Sequence, residues 1–222
     1  MIFNRPISSA LLALMLSALA VPAASQGIFD KPPIAGAAPD TSVAQTAPAA
    51  ERGPLDFIAS PDLRAQNQQK FLAELGTLYP DLVKDLEGQD LIGLVSPALE
   101  ANGLRTDNLG DAFTTWLLTN YTIVKEIEEE PTPAQVEGTK KLSYDAMQAL
   151  PDIQTMTDAD KQTTAEALIL QAVINEIMVD ARKEHNPAAV PEALEEVRNA
   201  AKQSGIDLDK FVMTQNGLEV VQ

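Results

Sequence analysis

Glu166 is the acid whose setting most suggests chemistry. It interrupts the opening of "AEALILQAVINEIMV", a run that is apolar on almost every side, and an acid in apolar surroundings is a general-acid candidate, as in glycan-cleaving enzymes that work with a single acid. No second acid or substrate-binding motif supports that reading, and Gln162 and Thr163, one turn earlier, offer Glu166 a wetter side instead. His185 is the only histidine. In "RKEHN", near a helix C-terminus, a cation there complements the helix dipole; a Ser-His-Asp relay would have to use this residue, and no G-x-S-x-G elbow accompanies it. The catalytic set is therefore empty except for Glu166 as a candidate.

The stretch "GLRTDNLGDAFTTWLLTNY", residues 103–121, supplies the binding candidates Arg105, Asp107 and Asp111. A guanidinium can recognise an acidic ligand group, but the same three residues can also form an ion pair that pins a loop. Helix initiation accounts for much of the rest: Asn108 is placed to accept the amide of Asp111, and Asp107 and Asp111 sit where the positive end of the dipole favours anions. Trp116 lies on the apolar stripe that follows. Asn120 interrupts that stripe and, if buried, needs a partner, for which Gln171 or Asn175 is suited. Trp116, Asn120, Gln171 and Asn175 are thus structural residues rather than catalytic ones.

Metal and cofactor chemistry find little purchase. Glu126, Glu128, Glu129 and Glu130 crowd a helix end, yet neither they nor "TDAD" nor "DLDK" has the oxygen spacing and glycine of a calcium loop. There is no G-x-x-x-x-G-K-[ST] and no G-x-G-x-x-G to cradle a nucleotide phosphate. With no cysteine in 222 residues, thiolate nucleophiles, disulfides and sulfur-ligated metals are excluded. No metal and no cofactor is expected.

The elements that must position these residues read as helices. Ser60 with Pro61 starts one that Gly76 stops; Pro80 restarts a short one; Asp90 to Asn102 forms another, with Pro97 either kinking it or opening a new segment. After the helix that Asn108 starts within 103–127, Thr132 with Gln135 is a capping box, and Thr157 with Asp160 is a second. The helix from Thr157 to His185, apolar almost all round between Ala165 and Val179, is the expected centre of the bundle. Pro191 to Ser204 follows, stopped by Gly205; then come a helical turn over 207–212 and a turn at "TQNG". No alternating strand of convincing length is evident. The fold class is all-α, a compact bundle of about six to eight helices by these cap-and-period signals.

Outside that domain, residues 1–25 have the layout of a secretory signal peptide: Arg5, the apolar "ISSALLALMLSALA", then small residues. Residues 26–55, rich in Ala and Pro, read as a disordered linker, and 56–222 as the helical domain. The rival to cleavage is an anchor, since the apolar run approaches the lower limit for spanning, about 17 residues; no stable span is expected once it is removed. The formal net charge of −16 repels phosphate backbones and anionic headgroups. Nucleic acid is thereby a poor partner, and an envelope protein or a cationic partner a better one.

Together "GLRTDNLGDAF", Trp116, "AEALILQAVINE" and "GIDLDKFVMTQNGL" resemble an uncharacterised family of exported bacterial all-helical proteins, over roughly residues 60–218. The resemblance implies secretion and an all-α domain, and it brings no activity or site residue. The expectation is a periplasmic or secreted, non-catalytic helical binding module on a tether. The alternatives are a peptidoglycan-active enzyme using Glu166 as general acid and a self-associating scaffold. Small residues precede a cut after Ala23 or after Ser25, so N-terminal sequencing of the exported protein is expected to begin at Ala24 or Gln26. An intact Met1 start confined to the cytoplasm would refute export.

Overall fold

The computed structural model describes residues 52–221; the expected signal peptide and nearly all of the expected linker lie outside them. Seven α-helices are formed among the described residues: α1 Pro61–Gly76, α2 Pro80–Leu86, α3 Leu91–Ala101, α4 Leu109–Val124, α5 Pro133–Gln148, α6 Asp158–His185 and α7 Val190–Gln203. A hairpin of β1 Phe211–Thr214 and β2 Gly217–Val220 closes the chain. The all-α bundle follows from local chemistry. Ser60 accepts the Leu63 amide at 3.3 Å, Asp90 that of Gly93 at 2.9 Å, and Asn108 that of Asp111 at 2.9 Å. Thr132–Gln135 and Thr157–Asp160 both form complete capping boxes, which satisfy amides that a helix cannot bond itself. Pro97 is accommodated within a single helix. Lacking an N–H, Pro97 leaves the Gly93 carbonyl without its usual helical donor.

Every one of the sixteen residues of α4 is buried. The sequence suggests one core-facing stripe, but the opposite side, Thr114, Thr115, Thr119 and Thr122, is covered as well. Threonine makes this possible because its hydroxyl can bond to the preceding turn. Thr114 Oγ1 donates to Gly110 O at 2.7 Å, and Thr115 Oγ1 to Asp111 O at 3.0 Å. The 28-residue helix α6 is central as expected: it packs on α4, α1, α7 and α3. Trp116 Nε1 donates to Gln171 Oε1 at 2.5 Å, and Asn175 Nδ2 to Asn120 Oδ1 at 2.8 Å. Leu55, placed by the sequence at the end of the linker, is 1% exposed in the core, so the folded body begins slightly before residue 56.

The hairpin departs from the sequence expectation. Its strands have four residues each, too short for alternation to show, and the helical turn expected over 207–212 is a 3-10 turn at Leu208–Lys210. An isolated hairpin of this size is marginal in water; docking supplies the stability. Tyr121 Oη accepts the Met213 amide at 3.0 Å on one edge, and Thr139 Oγ1 accepts the Leu218 amide at 2.9 Å on the other. Both edges are therefore engaged by helix side chains rather than left open for strand addition. The "TQNG" turn ends at Gly217, φ +105°, and Gly138 of α5 lies so close that a Cβ there would stand 1.5 Å from Asn216 O. No helix among the described residues is long and apolar enough to cross a membrane.

Gly138→Ala is expected to lift the hairpin from α5 and destabilise the domain by about 3 kcal/mol, the upper end for overpacking. Urea unfolding measures it, and an unchanged midpoint would show that the hairpin is not seated there.

Candidate functional site

Arg105, Asp107 and Asp111 are brought together, with their charges directed at one another and at neighbouring elements. Asp111 is fully buried. Its Oδ1 accepts from Tyr144 Oη at 3.1 Å and lies 3.0 Å from Lys140 Nζ, while Oδ2 accepts the Arg105 amide at 3.1 Å. Arg105 Nη2 pairs with Asp56 Oδ1, which also accepts from Asn108 Nδ2 at 2.6 Å; Asp107 is a weaker partner at 3.8 Å. Close approach of α4 to α5 at this point needs Gly110, where a Cβ would meet the Tyr144 ring at 2.6 Å. Burial, and then the Asp111 charge, push the Tyr144 hydroxyl pKa up. Burial alone would lower the pKa of Arg105, but its hydrogen bond to Asp56 and the charge there reverse the sign. For Asp56 burial again opposes, and the bonds from Asn108, Gly53 and Arg105 together hold its carboxyl below the usual range. The cluster fastens residues 53–57 and α5 to the start of α4.

Glu166 is 1% exposed, deep rather than on a wetter side. Asn67 Nδ2 donates to Oε2 at 2.7 Å; Gln162 Nε2 at 2.9 Å and Arg64 Nε at 3.3 Å donate to Oε1. Gln162 in turn bonds both backbone groups of Ser60, each at 2.8 Å. This arrangement ties the start of α1 to α6, and its partners lie around a hundred residues away in sequence. His185 stands at the end of α6 with Glu184 Oε2 at 3.7 Å. No group of three or more His, Asp and Glu among the described residues is arranged to hold a metal ion.

The site that sequence reasoning missed is a groove of about 480 Å³ between the α1–α2 junction, α6 and α7. That volume is in the range of small-molecule sites. Phe71, Leu75 and Leu78 form one wall; Ile174, Met178 and Val197 belong to the others. Arg182, 5% exposed, reaches Glu196 Oε2 at 3.4 Å. Tyr79 lies beside that pair; its own burial, then the Glu196 charge, raise the pKa of its hydroxyl, so it stays a neutral donor. Gln171 and Asn175, which hold Trp116 and Asn120, also line the groove. The lining joins segments far apart in sequence. The legible signal was the recurrence of Gln171, Asn175, Met178 and Arg182 along one face of α6. A second cavity, about 50 Å³, lies between α3, α4 and the 130–136 segment.

Fold and groove together define a helical bundle with a ligand-sized cleft against its central helix. Residues 45–221 match the model of DUF6683, a family of unknown function, and the chain belongs to that family. No curated protein and no solved structure matches it.

A depressed carboxyl pKa stabilises the fold above the unfolded value, and that contribution is lost as pH falls through the folded one. Asp56→Asn removes the carboxylate. The urea midpoints of wild type and variant are therefore expected to differ by a constant amount above about pH 5 and to draw together only as pH falls below the ordinary aspartate value of 3.8 towards the lower folded one. A gap independent of pH would contradict this assignment.

Proposed function

We propose that the protein is a non-catalytic binding module of the bacterial envelope, exported by its N-terminal segment, and that it works through the groove between α1, α6 and α7. The observation that carries this is the groove itself: a cleft of about 480 Å³ with apolar walls and a few polar groups, the usual composition of a binding site. Its lining brings together an ion pair, amides and a phenol, with neither a nucleophile–base pair nor two spaced carboxylates. The residues that suggested catalysis or acidic-ligand recognition in the sequence, Glu166 and Arg105, have their bonding capacity engaged elsewhere.

Capture from envelope extracts by the full mature chain tests the reading. A specific partner or ligand is expected to be retained by wild type and lost with Ala200→Phe, which fills the groove from α7. Retention unaffected by Ala200→Phe would remove the groove from function. Turnover of peptidoglycan by the purified protein, abolished by Glu166→Gln, would replace the proposal with the enzyme.

A further inference from the structure

Polarity along the groove is ordered, and the order specifies a ligand class. On α6 the lining residues Gln171, Ile174, Asn175, Met178, Val179 and Arg182 recur at three and four, so they form one stripe. Amides occupy its first part and the guanidinium its end. From Ile174 to Arg182 the helix rises about 12 Å at 1.5 Å per residue, and that span holds the aliphatic side chains. Phe71, Leu75 and Val197 add apolar surface from α1 and α7.

Arg182 is the unusual member. Its side chain is 7% exposed, yet its bond to Glu196 is a single contact at 3.4 Å, well beyond the length of about 2.8 Å that a good charge-assisted bond attains. A guanidinium has five donors in a fork that fits both oxygens of a carboxylate. Tyr79 also accepts from the Arg182 guanidinium, so its neighbours are a phenol and a carboxylate held at a distance, and an anion that engages the fork with both oxygens adds contacts that neither supplies. Tyr79, at the same end, offers a hydroxyl donor.

Resting on the binding-module reading, we infer that the groove takes a single-chain amphiphile with a carboxylate head, of the medium-chain fatty-acid class. The carboxylate pairs with Arg182 and accepts from Tyr79; the acyl chain lies over Val179, Met178 and Ile174. Gln171 bounds the chain's far end. Because Gln171 Oε1 also accepts the indole N–H of Trp116, and Trp116 is the only tryptophan, an occupied groove alters the environment of a built-in fluorophore.

The test titrates the full mature chain with decanoate, decanol and acetate, following tryptophan emission and heat. Decanoate is expected to saturate one site per chain, decanol to bind about tenfold more weakly, as the loss of one charge-assisted contact implies, and acetate not to bind. Arg182→Gln should weaken decanoate about tenfold and leave decanol unchanged. Glu196→Gln, which frees the guanidinium, should tighten decanoate, and this second variant decides the matter if Arg182→Gln fails to fold. Equal binding of decanoate and decanol, or decanoate binding indifferent to Glu196→Gln, overturns the inference. If decanoate does not bind while an envelope partner is still captured in a groove-dependent way, the amphiphile falls and the binding module stands; if both fail, both readings fall.

Discussion

A helix with water on no side must satisfy all of its polar side chains inside the protein, and α4 is such a helix. Sixteen residues are buried, Thr114, Thr115, Asn120 and Thr122 among them. Each such group left without a partner would cost about 1–3 kcal/mol. Three threonine hydroxyls turn back onto the helix's own carbonyls, and Asn120 Nδ2 does the same onto Trp116 O at 2.7 Å. Trp116 and Asn120 are met by α6, through Gln171 and Asn175, Asp111 by Tyr144 and Lys140 of α5, and Tyr121 by the hairpin. The crossing of α4 and α6 is thereby fixed in register, since sliding either helix by a residue would break both bonds. Gln171 and Asn175 each face two ways, one side bonded to α4 and the other lining the groove. The groove inherits its rigidity from the demand that α4 be satisfied.

Covering α4 also requires elements to come closer than ordinary side chains permit. Gly110 lets α5 approach, and Tyr144 then reaches Asp111. Gly138 and Gly217 let the hairpin turn rest on the backbone of α5, where Gln135 Nε2 donates to Thr214 O at 2.9 Å. At the other end of the described chain, Leu55 and Phe57 enter the core, and the segment is bonded to the start of α4 through Leu109 N to Leu55 O at 2.9 Å and Phe57 N to Asp107 O at 3.1 Å. Arg105 and Asp56 secure that same junction. The Arg105-containing loop before α4, for which the sequence favours a loop-pinning ion pair over ligand recognition, is the seam where three parts of the chain are joined.

The helices were legible because their signals are local. A cap needs only four consecutive residues, so Ser60, Asn108, Thr132 and Thr157 announce their helices regardless of what surrounds them. Asn120 was legible for a different reason: an amide on an apolar stripe implies a partner, and Asn175 supplies it. What stayed hidden depends on assembly. The hairpin holds because Tyr121, Thr139 and Gly138 receive it, residues roughly 75 to 90 positions away. The burial of Glu166 depends on Arg64 and Asn67 of α1. The groove depends on how α1, α6 and α7 come together, which no periodicity encodes, and Arg182 meets Glu196 only once α7 lies beside α6.

The charge of the chain bears on what such a groove can admit. At a net −16, the long-range field repels small anions, and exposed pairs such as Lys84–Asp81 and Lys183–Asp180 contribute little to hold or attract anything. Beyond about 8 Å that field is screened at physiological salt. Inside the groove, with walls of low polarizability, Arg182 acts over a few ångströms and is weakly screened. A bare anion has nothing to offset desolvation on the way in. A molecule that also buries an apolar chain gains about 0.8 kcal/mol for each methylene removed from water, and so can carry its carboxylate to the guanidinium. Repulsion outside and a buried cation within therefore act together as a filter: the apolar part of the ligand drives entry, and the charge decides which apolar molecules stay.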